Sequence, residues 1–149
     1  MTETTVHRPT IRAGEDGELT TVPDHIVLLF DGTCDFCTRS VRLIRSLDKR
    51  GRITPIPFQR SGVTEAYGLS VAQCERAAWA VTPDGSRYAG AAAINVAVST
   101  ALGRRLPWLV YRAPGVRWAQ DHVYAAIARN RTRLRGDTPY CLQFPDACA

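Results

Sequence analysis

Ile26-Val27-Leu28-Leu29-Phe30 breaks a polar beginning with five apolar residues in a row, β-branched and aromatic enough to read as a buried strand. Beyond it Val41, Ile44 and Leu47 recur at helical spacing while Arg39, Arg42, Arg45 and Lys49 take the opposite side, which predicts an amphipathic helix with a basic face. Residues 52–58 alternate as a second strand, but Pro55 and Pro57 confine it to an edge or an irregular course. Residues 61–76 read as two short helical pieces broken at Gly68, with Ser70 and Gln73 spaced as a capping box for the second. Ala77-Ala78-Trp79-Ala80-Val81 predicts a third strand, and Thr82-Pro83-Asp84-Gly85 supplies the turn of a hairpin to a short fourth around Arg87-Tyr88. Small and apolar residues over 90–102 suit a helix packed closely on the sheet and ended by Gly103. Pro114 opens a last helix running to about Leu134, and the segment after Gly136 reads as loop.

Strand, helix, strand, helix, hairpin and helix, followed by an additional C-terminal helix, is the order of a thioredoxin-like α/β fold: a mixed four-stranded sheet flanked by helices. Its first strand-to-helix junction is Asp31-Gly32-Thr33-Cys34-Asp35-Phe36-Cys37. Two thiols at this spacing fit either a dithiol that cycles to a disulfide or half of a zinc site. A helix start leaves backbone N–H groups unpaired and carries partial positive charge, and both favour a thiolate. Cys34 is therefore the expected nucleophile, its pKa lowered by the helix terminus alone by about one unit. Asp35 opposes that effect; Arg39, near the first turn, could offset Asp35, but a surface charge in water is worth little. Cys37, one turn further in, is the expected resolving thiol.

These residues resemble the DCC family of thiol-disulfide oxidoreductases, whose name denotes an Asp followed by two Cys; here those are Asp31, Cys34 and Cys37. Pro83-Asp84-Gly85 with Tyr88, Gly90 and Ala93 is similar to the family's hairpin-to-helix passage. Tyr124, Ile127, Ala128, Asn130 and Arg131 are similar to its late helical signature. The likeness spans residues 26–141. It implies a thioredoxin-like fold and thiol–disulfide exchange through a mixed disulfide with a protein or small thiol substrate. Thioredoxins themselves present a cis-proline just before the third strand, whereas Glu75-Arg76-Ala77-Ala78 holds no proline.

A chain of 149 residues with 45% hydrophobic content suits one domain with a real core. The expected organisation is a flexible polar leader over 1–24, the thioredoxin-like domain over 25–136 and a Cys-containing tail over 137–149. The leader lacks the apolar core of a signal peptide. The longest late apolar run, Leu106-Pro107-Trp108-Leu109-Val110-Tyr111, is far short of a membrane span. A cytoplasmic protein is expected, and in that compartment five cysteines point to catalysis, metal binding or inert burial more than to structural disulfides. The net charge of +5 rests on 19 basic residues, one of them lysine, gathered largely at 39–52 and 129–135. No nucleic-acid motif accompanies these clusters, so they read as a solvated helix face and a helix C-terminus, and nucleic acid is not an expected partner.

Alternatives stay open at particular residues. Asp31 is a turn former preceding Gly32, a base that takes the proton of Cys37, or both. Cys74 fits a buried small hydrophobe and His122 a packing or surface residue. Cys141 and Cys148 could pair with each other, relay electrons from Cys37 or lie free. A zinc-stabilised binding module would need four ligands, to which His25, His122, Cys141 and Cys148 could contribute, but no second Cys-x-x-Cys or ligand-spaced His pair is present. A basic nucleic-acid-binding domain with incidental cysteines is the other competing class. The favoured reading needs no bound cofactor or metal, and its partners are a thiol or disulfide substrate and an electron donor that the sequence does not identify.

Overall fold

The computed structural model describes residues 19–149. Strand β1 (Ile26–Phe30) leads into α1 (Asp35–Leu47), followed by β2 (Ile53–Pro57), α2 (Val63–Ala66), α3 (Val71–Arg76) and the hairpin β3 (Trp79–Val81) and β4 (Arg87–Ala89). Then come α4 (Ala91–Leu102), α5 (Leu106–Arg112), α6 (Pro114–Asn130), a 3₁₀ turn over Arg131–Arg133, the single-turn helix α7 (Tyr140–Gln143) and a 3₁₀ turn over Pro145–Cys148. The sheet order is β2-β1-β3-β4, with β1 parallel to β2 and antiparallel to β3. At mid-strand Leu28 stands opposite Pro55 on one side and Ala80 on the other. Pro55 and Pro57 are tolerated because β2 is an edge, where a missing N–H removes no pairing on the outer side.

β1 reads as an unbroken apolar run because both of its faces are covered. Ile26, Leu28 and Phe30 join Val41 and Ile44 of α1, the small residues Ala93, Val96 and Ala97 of α4, and Trp108 and Tyr111 in one core. Leu29 turns to the other face and packs with Phe58, Val63, Leu69 and Cys74. The mixed sheet with helices on both faces is the expected thioredoxin-like arrangement. The capping box of α3 is formed as its sequence predicts, Ser70 and Gln73 each serving the other's backbone N–H. Gly103 ends α4 with φ 66°, a left-handed conformation that favours glycine.

Four expectations are altered. Leu47, the last residue of α1, is 38% exposed and lies outside the buried core. The run at 106–111 is a helix that the sequence reading missed. α5 is held by tertiary partners: Trp108 meets Tyr88 edge-on at 5.4 Å, and its N–H donates to the buried Ser99 hydroxyl. Seven residues around a proline give too short a window for a periodic signal. The segment after Gly136 is also more ordered than loop, as α7 and the final 3₁₀ turn show. Of the expected leader, residues 1–18 lie outside the described residues; Leu19 is buried in the core and its carbonyl accepts from Arg105, so the packed structure begins before residue 25.

Candidate active site

Cys34 is the N-cap of α1, with extended φ and ψ, and its Sγ accepts the Cys37 N–H at 3.2 Å. That bond is the usual N-cap arrangement with sulfur in place of oxygen, so the negative charge of a thiolate lies where the helix has an unpaired donor. Thr38 fixes the turn from inside: its N–H and its hydroxyl both donate to the Cys34 carbonyl, at 3.0 and 2.9 Å. Cys34 and Cys37 are free thiols, both half-buried.

The Cys34 pKa is lowered to about 6. The largest cause is the Cys37 thiol, which donates to the Cys34 sulfur; burial opposes it, and the Cys37 N–H and the charge of Arg131 add to the lowering. Cys37 is pushed well above the usual thiol range, first because that shared proton stabilises its neutral form, then by burial and by repulsion from the Cys34 thiolate. Near neutral pH the pair thus favours a thiolate at Cys34 and a thiol at Cys37. The helix terminus alone accounts for less of this than the partner thiol does. Asp31, not Asp35, is the carboxylate that opposes the Cys34 thiolate, and Arg131, not Arg39, is the cation that favours it.

Asp31 follows β1 directly and is buried, at 8% exposed. Its Oδ1 accepts from the Thr33 N–H at 2.9 Å, the Thr33 hydroxyl at 2.7 Å and the Gln59 side-chain amide at 2.7 Å. Its Oδ2 faces the Arg131 guanidinium at 3.2 Å. Gln59 also accepts the Gly32 N–H at 3.0 Å, so one side chain clamps both ends of the turn. The sequence reading gave no role to Gln59 or to Arg131. Arg131 stands in the late helical signature of the resemblance, which was the only available signal; by composition it belonged to a solvated basic cluster. Cys74 is buried, and burial raises its pKa. His122 lies on the surface with its ring against Trp118, and His25 meets the Thr54 hydroxyl at 2.8 Å.

A cavity of about 340 Å³ opens beside Cys37 between α1, α3, α4 and α6. Phe30, Val41, Ile44 and Tyr124 give it an apolar wall, and Cys37, Asp31 and Arg131 also line it. Tyr124 reaches across it to accept the Ala78 N–H at 2.9 Å, just before β3. Among the described residues no group of three or more His, Cys, Asp or Glu converges as metal ligands, and no helix is long and apolar enough to cross a membrane. Cys141 and Cys148, which a zinc site would have to recruit, are bonded to each other.

The sheet, the N-cap position of Cys34 and the depressed thiol beside a protonated partner together define a thioredoxin-like dithiol protein. A family model for the DCC1-like thiol-disulfide oxidoreductase matches residues 28–137, and the chain belongs to that family. No curated protein and no solved structure matches it.

Proposed function

We propose that this protein catalyses thiol–disulfide exchange with Cys34 as nucleophile and Cys37 as resolving thiol. The observation that carries this reading is the Cys34 sulfur at a helix N-cap, accepting the Cys37 N–H at 3.2 Å, where the Cys37 thiol and the charge of Arg131 also favour its thiolate. The Cys34 thiolate attacks one sulfur of a substrate disulfide and the other substrate sulfur leaves as a thiolate. Once Cys34 is bonded to substrate, the two thiolate effects that kept Cys37 protonated vanish. Burial and the charge of Asp31 still oppose its ionisation, while Arg131 favours it. Cys37 then gives up its proton and attacks Cys34 Sγ, releasing the reduced substrate and leaving a Cys34–Cys37 disulfide for an electron donor to reduce. The same steps run in reverse to oxidise a dithiol. A stabilised Cys34 thiolate favours the reduced pair, which makes the disulfide the stronger oxidant. The chemistry needs no bound cofactor.

Asp31 serves in this scheme as a positioning residue that fixes the turn and Arg131, and through Oδ2 as acceptor of the Cys37 proton. The apolar cavity beside Cys37 gives room for apolar groups flanking a substrate thiol. The deciding experiment incubates Cys37→Ser and Cys34→Ser with glutathione disulfide. Cys37→Ser should accumulate a mixed disulfide at Cys34, and Cys34→Ser should not; equal trapping by both variants removes the assigned order.

A further inference from the structure

Two sulfurs of the C-terminal tail take no part in that exchange, although they lie against it. Cys141 and Cys148 are joined as a disulfide. The tail that carries them follows the dithiol turn residue by residue. Gly136 sits so close to the Asp35 backbone that a side chain there would overlap it, and the Asp137 N–H donates to the Asp35 carbonyl at 3.2 Å. The Asp137 carboxylate pairs with Arg42 at 2.9 Å. The Tyr140 N–H donates to the Thr38 hydroxyl at 3.1 Å, and its ring meets Phe30 edge-on at 5.3 Å. The Cys141 N–H donates to the Gly32 carbonyl at 2.9 Å.

At Gly32 the approach is closest, since a Cβ there would stand 2.5 Å from Cys141 Sγ and 2.8 Å from Pro57 Cβ. The sulfur occupies the space that glycine leaves empty. Gly32 and Cys34 are two residues apart, so their Cα atoms are separated by at most about 7 Å. The activated thiol and the tail disulfide thus lie against one turn, and neither Cys141 nor Cys148 is fully buried.

We propose that Cys141–Cys148 is a second redox-active pair that exchanges internally with Cys34–Cys37. This rests on Cys34 being the nucleophile. In the forward direction the Cys34 thiolate attacks Cys141 Sγ, a Cys34–Cys141 bond forms, the Cys141–Cys148 bond breaks, and Cys148 leaves as a thiolate. Cys37 then attacks Cys34 Sγ, the Cys34–Cys141 bond breaks, and the Cys37 proton passes to the released Cys141 sulfur. Two electrons have moved from the first pair to the tail, and the chain still carries one thiolate. The reverse sequence returns them, so the four sulfurs form a relay between a substrate at Cys34 and a second partner at the tail. That partner is a thiol or disulfide that meets the exposed side of α7.

The test maps disulfides in Cys37→Ser, with alkylation to capture released sulfurs and digestion without reductant. A peptide joining Cys34 to Cys141 or to Cys148, with the other tail sulfur alkylated, is the expected result. A parallel sample with glutathione disulfide separates the two claims. Glutathione captured at Cys34 while Cys141–Cys148 stays intact in both samples overturns the relay and leaves the nucleophile standing. Linkage of Cys34 to nothing in either sample overturns both. A second measurement uses the unaltered protein, fully reduced and given one equivalent of diamide. The disulfide should form first at Cys34–Cys37 and then move to Cys141–Cys148 with a rate constant unchanged by dilution. A tail that remains reduced, or a transfer that slows in proportion to dilution, overturns the proposal.

Discussion

The turn holding Cys34 and Cys37 and the tail holding Cys141 and Cys148 lie side by side, yet they are assembled differently. The turn is built mainly from neighbours in sequence, Thr33 with Asp31, Cys37 with Cys34, and Thr38 with the Cys34 carbonyl, with Gln59 bracing it from outside. Its geometry follows from a strand end, an N-cap and an Asp-Gly turn. The tail has little local structure beyond two single turns, and its placement comes from contacts with residues far back in the chain, such as Tyr140 with Thr38, 102 positions away. A cysteine pair on a local frame has a reactivity that its own segment largely sets, with Arg131 adding to it from a distant element. The reactivity of a pair held by distant contacts depends on whatever it is laid against.

That contrast breaks most sharply at Cys34. Cys34→Ser should abolish mixed-disulfide formation while leaving the tail disulfide in place, as read by trapping and peptide mapping; residual exchange at the parent rate would mean that the tail acts alone. The parent rate of attack should itself fall about tenfold per pH unit below pH 6 and level off above pH 7, since only the thiolate reacts and its pKa is about 6.

Asp31→Asn comes next in size. It keeps the shape of the side chain but removes the charge that faces Arg131, and should slow decay of the mixed disulfide by up to about 10²–10⁴-fold if Oδ2 takes the Cys37 proton. Attack by Cys34 should change much less, and its pKa should move down, because the opposing carboxylate is gone. Stopped-flow formation and decay rates separate the steps. Unchanged decay with reduced thermal stability would leave Asp31 as a turn residue only.

Arg131→Met removes a favourable cation, so the Cys34 pKa should rise by about one unit and attack below pH 6 should fall about tenfold, with little change well above the pKa. A profile that stays in place would assign the lowered pKa to the local frame alone. The smallest effect is expected at the junction of the two regions. Gly32→Ala forces a methyl group against Cys141 Sγ and Pro57 Cβ, and overpacking of this kind costs about 1–3 kcal/mol. Its melting temperature should fall, and hydrogen exchange should quicken in residues 137–148 more than in β1. Equal loosening of both would show that the tail and the turn fold as one unit.

From the amino-acid sequence alone come the features whose causes lie within a few residues. These are the buried β1, the edge strand with its prolines, the capping box of α3, the glycine stop of α4 and the placement of Cys34 at a helix start. The pattern of β1-linked elements is enough to give the fold, and the Asp31, Cys34 and Cys37 motif is enough to give the family. The tertiary structure decided what stands around the thiols. Arg131 and Gln59 reach Asp31 from separate elements, α5 exists because Trp108 finds Tyr88 and Ser99, and Cys141 settles into the gap at Gly32. None of these leaves a periodic or turn signal in its own segment, because each is stabilised by a partner that only chain closure brings within reach. The charge at Cys34 shows the same division: the helix start offered a donor, and the proton of Cys37 and the distant Arg131 together set the pKa.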